Sequence, residues 1–147
     1  MKRTSPYKQG LYSPENPNKY RGTHPIVYRS GLELSFFRWC DRNETILEWG
    51  SESVVLPYIS PKDGKTHRYF VDGVIKMQTP SGVKKYLIEV KPSTQAVPPT
   101  ASKNKKRSTI LYEQIQWAVN TQKWESAKAW CKKNGYHFAV ITEKDLR

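Results

Sequence analysis

Acidic residues are scarce in this chain. Asp and Glu total 13 against 25 Lys and Arg in 147 residues, a formal net charge of +12. A chain so basic attracts polyanions, and nucleic acid is the partner to expect before a membrane surface. Cysteine is nearly absent. Cys40 and Cys131 lie far apart, neither in a CxxC nor beside a histidine at ligand spacing, and His24, His67 and His137 are scattered. That argues against a structural zinc site and suggests free thiols in a reducing compartment. Long apolar runs are missing too: no stretch of about 18 such residues occurs, so no membrane-spanning helix is expected. The N-terminus carries charge but no apolar core of a secretory signal. With 37% hydrophobic residues, the length suits one domain with a modest core.

Punctuation divides the chain. Residues 1–27 hold Pro6, Pro14, Pro17 and Pro25, with Tyr7, Tyr12 and Tyr20 among basic residues. Prolines at this density predict an extended arm rather than a helix. It reads either as a solvated tail or as an arm lying on nucleic acid or a partner protein. The single domain is expected over 28–147. A helix should start at Ser30, present Leu32, Phe36 and Trp39 on one face, and end at Arg42-Asn43. Strands are expected over 52–58, 67–77 and 84–91, the last two joined by a turn at Thr79-Pro80-Ser81-Gly82. After a proline-containing loop over 92–107, helical periodicity runs from Ser108. A break at Asn120-Thr121 and a second helix reaching Gly135 are expected, then a strand over 136–141. The order α-β-β-β-α-β predicts an α/β fold, a mixed β-sheet flanked by helices.

Charge in the two most strand-like segments carries the chemistry. These are Arg68-Tyr69-Phe70-Val71-Asp72-Gly73 and Tyr86-Leu87-Ile88-Glu89-Val90-Lys91-Pro92. Alternation puts Glu89 and Lys91 on one strand face and Tyr86, Ile88 and Val90 on the other. Buried acids need partners, often a metal or a lysine. Asp72 and Glu89 could therefore hold Mg²⁺ from neighbouring strands, with Mn²⁺ as a substitute and the Val90 backbone carbonyl as a further oxygen. Lys91 could orient or deprotonate the attacking water and neutralise phosphate charge. Taken singly, Asp72 also reads as a turn acid and Glu-x-Lys as a surface pair. Glu33 has two readings: a capping-box acid bonded back to the N–H of Ser30, or a helix acid facing the metal directly or through water. Lys103, Lys105, Lys106 and Arg107 read as phosphate contacts or as a solvated helix start. Arg29 and Arg68 are further candidate DNA contacts, and Glu113 and Gln114 are auxiliary candidates on the later helix.

The order of helix acid, strand Asp, hairpin, strand Glu-x-Lys and helix resembles the PD-(D/E)xK nuclease core, which has a restriction-endonuclease-like fold. Beyond that core, the chain resembles the head completion nucleases of large contractile-tailed phages from about Asn18 to Leu146. The matching stretches include Lys19-Tyr20-Arg21-Gly22, Tyr28-Arg29-Ser30, Trp49-Gly50-Ser51-Glu52, Arg68 to Asp72, Ile88 to Pro92, and Trp117 to Trp124. A more distant similarity is to the endonuclease subunit of TnsA-type transposases. The resemblance implies Glu33, Asp72, Glu89 and Lys91 as the catalytic set, double-stranded DNA as substrate, and contact with portal or neck proteins. It also implies work in the host cytoplasm during virion assembly, with retention in the particle left open. Two other readings stand beside it: a non-catalytic adaptor of the phage neck, and a transposase-type or repair nuclease with the same core.

Overall fold

A computed structural model describes residues 9–146. The strands are β1 (Gly10–Leu11), β2 (Val27–Tyr28), β3 (Ile46–Ser51), β4 (Val55–Ile59), β5 (Thr66–Phe70), β6 (Gly73–Thr79), β7 (Gly82–Val90) and β8 (His137–Ile141). The helices are α1 (Gly31–Arg42) and α2 (Arg107–Asn134). The main sheet has the order β3-β6-β7-β8, antiparallel except for the β7–β8 pair. That parallel pair requires a crossover, which α2 supplies. One apolar cluster joins Phe36, Phe37 and Cys40 of α1 to Ile75, Ile88 and Val90. The other joins Trp124, Ala127 and Cys131 of α2 to Leu56, Tyr69 and Leu87. The fold is thus the expected mixed sheet flanked by helices.

Three element boundaries differ from the sequence reading. The expected 67–77 strand is two strands, because the chain leaves one ribbon and enters the main sheet at Val71-Asp72. β4 and β5 form a separate two-stranded sheet, so the expected 52–58 strand belongs to a ribbon. The strand next to β6 is β3 instead, over Ile46-Leu47-Glu48-Trp49-Gly50-Ser51. Nor does the later helix break. α2 runs unbroken for 28 residues, and the Thr121 hydroxyl donates back to the Trp117 carbonyl at 2.7 Å. A hydroxyl satisfied inside the helix has no need to cap a new one. Gly135 ends α2 in the left-handed region (φ 73°), and the Tyr136 N–H returns to the Cys131 carbonyl, as a helix C-terminus favours.

The N-terminal stretch is mostly irregular, as its prolines require, and its described part packs on the core. Pro6 and Tyr7 lie outside the described residues. Tyr20 and Ile26 are buried, and β1 pairs with β2. The tyrosines considered for stacking on nucleic acid are used internally: Tyr20 meets Trp49 edge-on at 4.7 Å, and Tyr12 packs at 5.9 Å from Phe37. This cover widens the buried arc of α1. Phe36, Phe37 and Cys40 form its core face, while Leu32 and Trp39 are only partly buried.

A polar clasp fastens this stretch to the end of α1. Asp41 is buried and accepts from the Tyr12 hydroxyl (2.6 Å) and from the N–H groups of Glu15 (2.7 Å) and Asn16 (3.0 Å). Burial alone would raise its pKa, but these bonds outweigh it and hold the carboxyl below its usual range. Lys19 donates to the carbonyls of Cys40, Asp41 and Asn43, the unpaired end of the helix. Asp41→Ala would orphan several partly buried donors at once. It should cost about 3 kcal/mol or more in urea-monitored unfolding, and a loss near zero would show that the clasp contributes little.

Candidate active site

Register brings the acids together. Gly73 pairs with Ile88 at the end of the β6–β7 ladder. One step further along antiparallel strands places Asp72 opposite Glu89. Asp72 is half-buried and accepts from the Val90 N–H at 2.8 Å. Glu89 is 4% exposed and accepts from the Tyr69 hydroxyl at 2.8 Å. Lys91 Nζ approaches the other Glu89 oxygen at 3.5 Å. Gly73 matters to this layout. A Cβ there would meet the Phe36 ring at 2.6 Å, so only glycine lets α1 lie this close to the sheet. That approach brings Glu33, one turn before Phe36, to the rim of the same cleft.

The cleft has a volume of about 640 Å³ and is lined by Glu33, Asp72, Glu89, Val90 and Lys91, together with Arg68, Tyr69, Gln95 and Lys123. Its electrostatics are those of crowded acids. Burial pushes Asp72 well above the normal carboxylate range, and the charges of Glu89 and Glu33 push it further. Burial also raises Glu33, against the opposing pull of Arg29. The Tyr69 hydroxyl is raised by burial and then by Glu89, so it is a fixed donor to that carboxylate. Among the described residues no three His, Cys, Asp or Glu side chains close around one point as a finished metal cage. The donor set is the Asp72–Glu89 pair beside Val90, hard oxygens that line the cleft. That fits Mg²⁺, which keeps several of its waters.

Glu33 combines elements of both its readings. The Ser30 hydroxyl accepts from the Glu33 N–H at 3.1 Å, half of a capping box. Glu33 Oε1, however, accepts from the N–H of Arg29 at 3.0 Å rather than from that of Ser30. Arg29 itself pairs with Glu52 at 2.7 Å and is otherwise exposed. Arg68 lines the cleft with its guanidinium 5.4 Å from the centroid of the Phe70 ring. The basic run lies elsewhere: Lys103, Lys106 and Arg107 are exposed and none lines the cleft. Lys105 is engaged with the Glu113 carboxylate at 2.7 Å and the Thr100 carbonyl. Glu113 therefore serves that ion pair, Gln114 is exposed, and neither reaches the cleft. Sequence reading passed over Tyr69 and Lys123. The available signal was a polar-tipped aromatic beside a strand acid, and a lysine inside the Trp117–Trp124 motif.

A mixed sheet carrying Asp72 and Glu-x-Lys at one end, with a helix on each face, defines a nuclease of restriction-endonuclease-like fold. Residues 43–143 match the TnsA-like endonuclease N-terminal family. The match includes Asp72, Glu89 and Lys91 but starts after Glu33. Over 146 residues the chain is 41% identical to the head completion nuclease of Enterobacteria phage T4, covering 94% of this chain and 93% of that protein. The chain belongs to this head completion nuclease family.

The raised Asp72 has a measurable consequence. Its folded-state pKa lies above that of an unfolded carboxylate, so the metal-free folded protein holds a proton that the unfolded chain gives up. The destabilisation is absent at acid pH and grows as pH rises through the folded value. Asp72→Asn should therefore melt higher than the parent protein in EDTA, with the widest gap at neutral to alkaline pH and a shrinking one on acidification. A gap that stays constant or widens on acidification, in thermal melts across pH, would contradict this.

Proposed function

We propose that the chain is a Mg²⁺-dependent DNA endonuclease of phage head completion, which cuts or trims packaged DNA before head and tail join. The observation that carries this is the Asp72–Glu89 pair, pressed together at the mouth of a cleft with Lys91 alongside. Asp72 and Glu89 would hold the ion, with the Val90 carbonyl as a third oxygen and Glu33 acting directly or through water. Once bound, the ion would supply a more acidic water and take up charge on the phosphate. Tyr69 holds Glu89 in a fixed orientation, and the Val90 N–H does the same for Asp72. Lys91 is placed to orient or deprotonate the attacking water and to offset phosphate charge. The net charge of +12 would draw duplex DNA to the cleft. Portal or neck proteins are the natural partners of such a step, the host cytoplasm its place, and retention in the virion compatible with it. No helix among the described residues is long and apolar enough to cross a membrane.

The match to a TnsA-like family favours a second reading, a transposon-type nuclease with the same chemistry. Neighbouring head genes would support head completion, and neighbouring transposition genes the alternative. A neck adaptor without turnover would not need three acids crowded into one cleft.

Plasmid cleavage in Mg²⁺ tests the metal reading. Asp72→Ala and Glu89→Ala should each abolish nicking while preserving the far-ultraviolet circular dichroism of the parent. Activity that survives excess EDTA undiminished would overturn the metal mechanism.

Glu33→Gln separates the two roles of that residue. Its amide oxygen can still accept from the Arg29 N–H, so the melting temperature should hold within error. Loss of charge at the rim should remove nearly all cleavage. Near-normal cleavage would confine Glu33 to helix capping.

A further inference from the structure

Of the three cations that line the cleft, Lys91 is paired with an acid, while Arg68 and Lys123 lie over aromatic rings; Lys123 alone sits over the ring of Tyr69, the residue that holds Glu89. The helix α2 carries Lys123 one residue before Trp124, which is buried in the core, so its backbone is firmly placed. Its side chain is half-buried and lines the cleft with Glu33, Asp72 and Glu89. A lysine among so many acids would ordinarily pair with one, as Lys91 does with Glu89. Yet among the described residues no carboxylate lies within 4.0 Å of the Lys123 Nζ. Aromatic faces hold it instead: Nζ stands 5.6 Å from the Tyr58 ring centroid and 5.7 Å from that of Tyr69. Ring quadrupoles attract an ammonium without neutralising its charge or using up its donors. The tyrosines are themselves anchored. β4 and β5 pair Tyr58 with His67 and Leu56 with Tyr69, and the Tyr69 hydroxyl is committed to Glu89. The cation is therefore positioned by a rigid aromatic seat, retains its full charge and points into the space that substrate must enter.

We propose that Lys123 is a phosphate-binding residue: from the α2 wall of the cleft it takes a non-bridging oxygen of the DNA backbone, while Lys91 serves the β7 wall. This rests on the nuclease reading of the cleft. It adds a second wall to the site, so that the backbone is gripped between a helix cation and a strand cation. A gripped backbone loses the freedom that would otherwise misplace the scissile phosphate. The tyrosine seat has a second effect. Because Tyr69 touches both Lys123 and Glu89, occupation of the phosphate contact stiffens the donor that orients Glu89. The contact is to charge and not to a base, so it carries no sequence information.

The test uses full-length protein and a defined duplex. Lys123→Met keeps the aliphatic stem over the rings and removes the charge; Lys123→Arg keeps the charge. Equilibrium binding in Ca²⁺ as a function of salt should lose about 0.9 from the slope of log K against log salt in Lys123→Met. Single-turnover cleavage should fall about tenfold or more, and Lys123→Arg should recover most of both. Neutral methylphosphonates walked one phosphate at a time then locate the contact. At one position the substitution should impair the parent protein but add nothing to Lys123→Met. A stem that merely packs would leave the salt slope untouched, and an unchanged slope with losses that add at every phosphate would overturn the proposal. If the parent protein binds duplex but does not cleave it in Mg²⁺, the nuclease reading fails, while the salt slope and the methylphosphonate walk in binding still decide the role of Lys123.

Discussion

Everything at the functional end of this protein depends on two carboxylates being forced side by side. Left to itself, Asp72 would move away from Glu89 or hold a proton, since like charges in a poorly hydrated place repel. Neither can move away. Asp72 is held by the N–H of Val90, Glu89 by the hydroxyl of Tyr69, and their spacing is that of neighbouring strands in a ladder running from Thr79–Gly82 to Gly73–Ile88. The sheet thus stores an electrostatic penalty that a divalent cation would relieve. On the metal reading proposed above, stability without the ion and readiness to bind it would be opposed, as is common where an active site is built into a sheet.

The two helices contribute to that site in different ways. α2 packs on one face through Trp124, Ala127 and Cys131, and so brings Lys123 and, through its contact with the ribbon, Tyr69 to the cleft. α1 packs on the other face and reaches the cleft only with its first turn. How far it reaches is decided by Gly73, whose missing side chain leaves room for Phe36. The β4–β5 ribbon is the third support. The strand break at Val71-Asp72 lets Tyr69 belong to the ribbon while Gly73 belongs to the main sheet, and Asp72 stands at the joint between them.

Much of this was legible in the sequence because the signals were local. Ser30 and Asn43 mark the ends of α1, Gly82 and Thr79 mark the hairpin, and the alternation around Glu89 and Lys91 gives their shared face. What was not legible depends on tertiary context. Ile46-Leu47-Glu48-Trp49-Gly50-Ser51 carries a glycine and charge, and does not read as a strand until it is seen pairing with β6. Asp72 before Gly73 does read as a turn acid, but nothing local says that the turn separates two sheets. Asn120-Thr121 carries the residue types of a cap, but the Thr121 hydroxyl bonds within its own helix. The basic run 103–107 reads as phosphate contacts or as a solvated helix start, and its sequence does not show that Lys105 pairs with Glu113 while Lys103, Lys106 and Arg107 stay exposed. Lys123, with less local charge around it in sequence, is brought by the fold to the cleft that Lys91 and Arg68 also line.

The N-terminal stretch shows why position matters more than composition here. Its prolines and tyrosines suit a free arm, and nothing local distinguishes an arm from a strap. The difference comes from Asp41 and the carbonyls at the end of α1, which need donors that only this stretch supplies: Tyr12, Glu15, Asn16 and Lys19. Once α1 is held at its C-terminal end by this clasp and in its middle by Phe36 against Gly73, its first turn has little freedom left. Glu33 then sits at the cleft as a consequence of contacts made along the whole length of the helix. A weakened clasp would therefore loosen the rim of the site before it disturbed the Asp72–Glu89 pair, which the sheet holds independently.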